Sequence, residues 1–332
     1  MTVRALALVA LTSLLLSADH CPASPVLRLV ADIPLPGPAV RFDYQSVDTL
    51  ANRLYISHMN AGELIVFNLV NRGVEGAVGD LPKVTGVLAV PVLGKIYVSV
   101  PGERCVAVID ARTLRVQARL GEIGFPDGIA YAPDEKKLYV SDEAGGGELV
   151  IDCASDRVLT RIPIGGEAGN TVYDPRAKRV LVAVQTRNEV VEIDPHSDLV
   201  TARHKLAGAA HPHGMAVDSV HRLLFVANEH DASLLTVDLK SMKVLGRHRV
   251  GGDPDVLAFD PGLGRLYVAS ESGIVSVLTE RRGELMHDGD MVMAHAHTVA
   301  VDPRTHMVYF PLSNVGGHPI MRIMRAHESP NN

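Results

Sequence analysis

Three short segments of this chain carry residues able to do chemistry: His211-Pro-His213, Asp253-Pro-Asp255 and His295-Ala-His297. Each begins 42 residues after the last, so imidazole and carboxylate pairs recur at a fixed interval. Imidazole combined with carboxylate suits zinc, iron or manganese, and leaves coordination positions open for water or substrate. A divalent ion held this way would lower the pKa of a bound water and polarise a carbonyl. Residues two apart in an extended chain point the same way, so both members of each pair are expected to face one space. The expected ligand set for a single divalent ion is therefore His211, His213, Asp255, His295 and His297, with Glu229, His230, Glu271 and His318 beside it. Polar residues that are merely solvated, with Asp-Pro opening ordinary turns, are the competing reading.

The same interval organises the whole chain. A short apolar run ends in aspartate at Asp48, Asp174, Asp218, Asp260 and Asp302, and two degenerate copies place Val90 and Ala132 at that position. Successive landmarks are 42 residues apart, with one interval of 44. About six residues after each landmark comes a run rich in β-branched and aromatic residues, such as Leu54-Tyr55-Ile56-Ser57, Ile96-Tyr97-Val98-Ser99 and Leu266-Tyr267-Val268-Ala269. A third run and a fourth follow, each bounded by Gly, Pro, Asn or Asp, which is the signature of strands joined by turns. Four strands per repeat of this length predict a blade, and seven repeats an all-β, seven-bladed propeller with four-stranded antiparallel blades.

After the third run of the last repeat only a short tail remains, so the seventh blade lacks an outer strand. The segment 26–35 has the right character to supply it, and the ring is expected to close through this N-terminal strand, removing exposed sheet edges. In such a ring the residues five before each landmark meet at one mouth of the channel: Asp43, Thr85, Asp127, Gly169, His213, Asp255 and His297. Seven before it stand Arg41, Lys83, Phe125, Glu167, His211, Asp253 and His295. The landmark aspartates are expected at the opposite mouth as turn residues, and His196, His204, His221, His248 and His306 as surface.

Composition bounds the rest. The 332 residues carry a formal charge of −6 with no basic run, which argues against nucleic-acid binding. Residues 1–23 read as a signal peptide, with Arg4 before an apolar stretch from Ala5 to Leu16. That stretch is short for a membrane span, and no other is long and apolar enough. The expected layout is a signal over 1–23, one propeller over 26–326 and a tail over 327–332, exported to the periplasm or secreted. Cys105 and Cys153 fall on different strands too far apart to bridge. Phosphate loops, dinucleotide fingerprints and nucleophile elbows are absent.

The Leu224-Phe225-Val226-Ala227-Asn228 strand and the Val106–Asp110 strand resemble those of the YVTN-repeat (YncE-like) β-propellers, over residues 27–326. The segment from His211 through Glu229 also resembles, in part, a stretch of lactonase-type propellers. That resemblance implies His211 or His213 as general base or acid with Glu229 as partner, and Arg41, with Lys83, as holder of a carboxylate or oxyanion. Three functions follow as expectations: a binder of a small molecule or metal at the mouth, a lactone hydrolase using the same groups, or a scaffold recognising a partner protein across the channel face.

Overall fold

The computed structural model describes residues 26–326; the expected signal peptide and tail lie outside them. Seven four-stranded antiparallel sheets make up the ring. The first blade runs through Gln45–Asp48, Arg53–His58, Glu63–Asn68 and Gly73–Val78 from channel to rim, and five more repeat the order. The seventh holds Ala300–Asp302, Met307–Val315 and His318–Ala326, and Leu27–Pro34 pairs antiparallel with its third strand. The N-terminal strand therefore closes the ring, as the missing outer run required.

Burial explains why the strands read differently. Second and third strands have blades on both faces and are almost wholly buried, as in Leu223–Asn228, so their apolar runs are continuous. Outer strands such as Leu199–Lys205 alternate exposed and half-buried residues. Apolar clusters fill the seams; one joins Tyr55, Leu64 and Val66 of blade one to Ile96, Val98 and Ile109 of blade two. Cys105 and Cys153 are buried free thiols.

The landmark aspartates do turn work on the face opposite the candidate mouth. Asp48 Oδ1 accepts from the backbone N–H of Leu50 (2.9 Å) and Ala51 (2.8 Å), and Asp218 Oδ1 from those of Val220 and His221. On that face, cations opening second strands reach forward to the next blade. Lys95 Nζ donates to Cys153 O (2.9 Å) and Asp156 (2.7 Å), and Lys137 Nζ to Pro195 O (2.9 Å) and Asp198 (2.7 Å).

One buried acid lies outside the channel groups. Glu148 Oε1 accepts from Thr171 Oγ1 at 2.8 Å, while Oε2 has no hydrogen-bond partner. Burial, offset in part by the Thr171 bond, pushes its carboxyl up to about 8. A raised folded pKa means the folded state holds the proton while the unfolded chain releases it near pH 4–5, so stability falls as pH climbs toward 8. Glu148→Gln keeps an acceptor for Thr171 and carries no charge. Denaturant titrations should show it close to wild type at pH 5 and more stable by roughly 2 kcal/mol at pH 9.

Candidate metal and ligand site at the channel mouth

The inner strands of blades three to six each carry a register shift where the channel residue sits: between Pro126 and Ile129, Ala168 and Thr171, Pro212 and Met215, and Pro254 and Leu257. Such bulges re-aim side chains, and these turn Asp127, His213 and Asp255 inward. The blades also approach one another closely here. A Cβ on Gly214 would stand 1.7 Å from Asp255 O, and one on Gly86 1.9 Å from Asp127 O. Glycine follows His213 because nothing larger fits against the next blade. Gly214→Ala should displace Asp255 and lower the thermal midpoint by several degrees, measured by calorimetry; an unchanged midpoint would contradict this packing.

The mouth encloses about 290 Å³, lined by acidic side chains that include Asp43, Asp127, Glu143, Glu229, Asp255 and Glu271. At its floor His213 Nε2 lies 3.2 Å from Asp255 Oδ1 and 4.0 Å from Asp127 Oδ2, and His297 Nε2 lies 3.2 Å from Asp255 Oδ2. Asp255 thus bridges the two imidazoles with its two oxygens. Two sets of three metal-ligating groups share it: His213, Glu229 and Asp255, and Asp255, Glu271 and His297. Arg41 already occupies the second set. Its guanidinium meets Glu271 Oε1 at 2.7 Å, His297 Nε2 at 2.9 Å and Asp255 Oδ2 at 3.8 Å. The first set holds no such fixed cation, and His213 Nδ1 has no hydrogen-bond partner, with Glu229 Oε1 3.6 Å away.

The electrostatics show strong mutual influence. Burial works against a charged His213, but Asp255, Asp127 and Glu229 overcome it and push the imidazole up to about 10. His297 is raised in the same way, with Asp255 and Asp43 prevailing over burial. Burial alone would raise Asp255; the charges of His297, His213 and Arg41 instead hold it well below the usual carboxylate range. Asp127 goes the other way, to about 8, through burial and the nearby Asp43 charge. Tyr44, whose hydroxyl donates to Asp127 Oδ2 at 3.1 Å, is raised well above its ordinary value, first by burial.

His213 and Asp255 line the mouth, and His297 meets Asp255 from an adjoining recess, so the 42-residue register brings the three together around the Asp255 carboxylate. Of the outer members, Asp253 also lines the mouth and His295 shares a neighbouring recess with His297, whereas His211 does not line the mouth beside His213. His211, Asp253 and His295 have φ of 61°, 57° and 67°, so the chain is not extended there. The expectation that all five ligands face one space therefore fails: the set is divided between two recesses, and His211 stands apart from both. His211 stays on the rim, stacked on His230 at 4.0 Å and with Nδ1 2.8 Å from Glu229 Oε2. His295 is exposed in a neighbouring recess with Arg41, Glu271 and His297. His58 and Asp142, which end the second strands of blades one and three, are buried. His58 stacks on Phe42, and Asp142 accepts the Gly124, Phe125 and Gly145 N–H groups. Tyr44 was missed; it stands four before its landmark, where blades two, three and five carry glycine.

No protein-family model matches the chain, and no curated protein does. Solved structures match the fold. A chain of hydrazine synthase from Kuenenia stuttgartiensis superposes with a TM-score of 0.75 at 16% identity, over 89% of this chain and 97% of that one. A chain of the mitotic checkpoint complex gives 0.75 at 12% identity, over 99% and 100%, and U3-55K gives 0.76 at 9%, over 89% and 98%. These likenesses establish the propeller and nothing finer. Among the described residues no helix is long and apolar enough to cross a membrane.

Proposed function

We propose that this is an exported propeller of the YVTN-repeat kind that binds one divalent transition-metal ion at the channel mouth through His213, Asp255 and Glu229. The observation that supports it most is the contrast between the two sets sharing Asp255. One is filled by Arg41, while the other offers the same ligand types, facing a recess of carboxylates, with no guanidinium paired to His213 or Glu229 among the described residues. Two oxygens and one imidazole suit zinc, manganese or iron, and leave positions for a small molecule entering from the mouth. The N-terminal sequence is the basis for export, to the periplasm or beyond. The test is metal content after chelation and reloading with zinc, manganese or ferrous iron: stoichiometric metal in the wild type and its loss in His213→Ala. Wild-type protein that takes up no metal from any of the three would overturn the reading.

A hydrolytic version draws on a separate observation, the His211–Glu229 pair at the rim, 2.8 Å apart. In a lactone hydrolysis this pair would take a proton from the attacking water and deliver it to the leaving alkoxide as the ring C–O bond breaks, and a divalent ion held by His213, Asp255 and Glu229 would supply polarisation of the carbonyl. Arg41, tied to Glu271 and His297, then positions the floor of the pocket. A lactone screen with Glu229→Gln as control decides between binder and enzyme.

A further inference from the structure

On the opposite face, at the seam of blades five and six, a second group of ligating side chains converges. His221 Nδ1 lies 2.7 Å from Asp218 Oδ2 and 3.0 Å from Glu280 Oε2. Both carboxylate side chains are almost fully buried, at 2% and 3% exposed, whereas that of His221 is 46% exposed. The remaining oxygens are committed to the backbone: Asp218 Oδ1 to the turn, and Glu280 Oε1 to Gly283 N–H at 2.5 Å. One oxygen of each buried acid is thus presented to the same imidazole nitrogen.

The repeat shows what other blades put in this place. The residue four past the landmark reaches back to the aspartate of the preceding blade. Arg222 binds Asp174 through both terminal nitrogens, at 2.5 and 2.6 Å, and His306 Nδ1 meets Asp260 Oδ2 at 2.8 Å. In blade six that position is Gly264, which has no side chain to offer Asp218. The carboxylate of Glu280 stands beside it instead, its Oε2 3.7 Å from where a Gly264 Cβ would be. Where neighbouring seams join an acid to a basic side chain, this one brings two acids and an imidazole together.

We infer that Asp218, His221 and Glu280 form a second divalent-metal site, which clamps blade five to blade six on the face away from the channel mouth. Ligand atoms in adjacent positions around an ion with bonds of about 2.1 Å stand roughly 3 Å apart, which is the spacing His221 Nδ1 keeps to each oxygen. Imidazole with two carboxylates selects zinc or manganese over calcium or magnesium. The exposed side of the imidazole leaves room for water ligands and a path for entry. The ion binds only the folded seam, so it stabilises the ring by mass action.

The test uses zinc as probe and removes the mouth site first, with Asp255→Ala in the full mature chain. That background should still bind zinc with a thermal midpoint that rises as zinc is added. Adding His221→Ala should weaken the remaining binding at least tenfold and abolish the rise, while leaving the zinc-free midpoint within a few degrees. Glu280→Gln, which keeps side-chain shape and an acceptor for Gly283, should do the same. Zinc binding in the background that survives both changes, or no zinc binding in the background at all, overturns the assignment.

Discussion

Asp255→Ala should weaken metal binding at the mouth by at least about 100-fold, since it removes a ligand and the group orienting both imidazoles. Its oxygens lie 3.2 Å from His213 and 3.2 Å from His297, and Arg41 is 3.8 Å away. Without that carboxylate, His213 loses both the hydrogen bond and the largest charge that raise it. A buried ion pair broken from one side costs about 3–5 kcal/mol, so the metal-free variant should also melt well below wild type. Asp253→Ala is the control. Its residue lines the same mouth two positions away but belongs to neither group of converging ligand atoms, and its affinity should stay within a few-fold of wild type. Isothermal titration with zinc and manganese reads both variants. Equal affinity in Asp255→Ala and wild type would remove Asp255 from the site.

The largest effect on stability should come from deleting residues 1–35. This removes Leu27–Pro34, which pairs along the third strand of blade seven from Ala326 to Ile320, and uncovers two apolar clusters. Leu27 packs with Phe310, Ile320 and Met324 between blades six and seven, and Leu35 with Phe42, Leu54 and Met321 against blade one. Burying a side chain of this size contributes about 1.5–3 kcal/mol, and several are lost together with a whole ladder of hydrogen bonds. The truncated chain should be recovered mostly as aggregate, its open edge free to pair with another molecule. Soluble monomer with a wild-type midpoint, by size exclusion and calorimetry, would show that closure contributes little. Adding the 26–35 peptide should partly restore solubility.

The fold was legible because the repeat imposes the same burial on the same positions seven times. The Leu-Tyr-Val strands had to be apolar on both faces, and the landmark aspartates had to cap turns, so period and phase were written in residue types. The register also brought His213 and His297 to the two oxygens of Asp255. What the types did not show was backbone sign. A histidine at φ near 60° is indistinguishable in sequence from an extended one, so His211 was expected beside His213. The only hint was glycine: Gly86, Gly128 and Gly214 mark where neighbouring blades crowd the inner strand. Nor could a one-dimensional alignment show that Arg41, from the first blade, fills the Asp255–Glu271–His297 set.

The backbone turn at 83, 211, 253 and 295 has a consequence for engineering. All four residues hold the same left-handed backbone, and the channel residues Thr85, His213, Asp255 and His297 follow two positions later. Lys83, His211, Asp253 and His295 therefore behave as interchangeable fittings on a fixed socket. A library randomised at these four sites, with asparagine and glycine over-represented to suit the conformation, should retune which molecules the mouth admits while leaving the melting behaviour of the disc nearly constant.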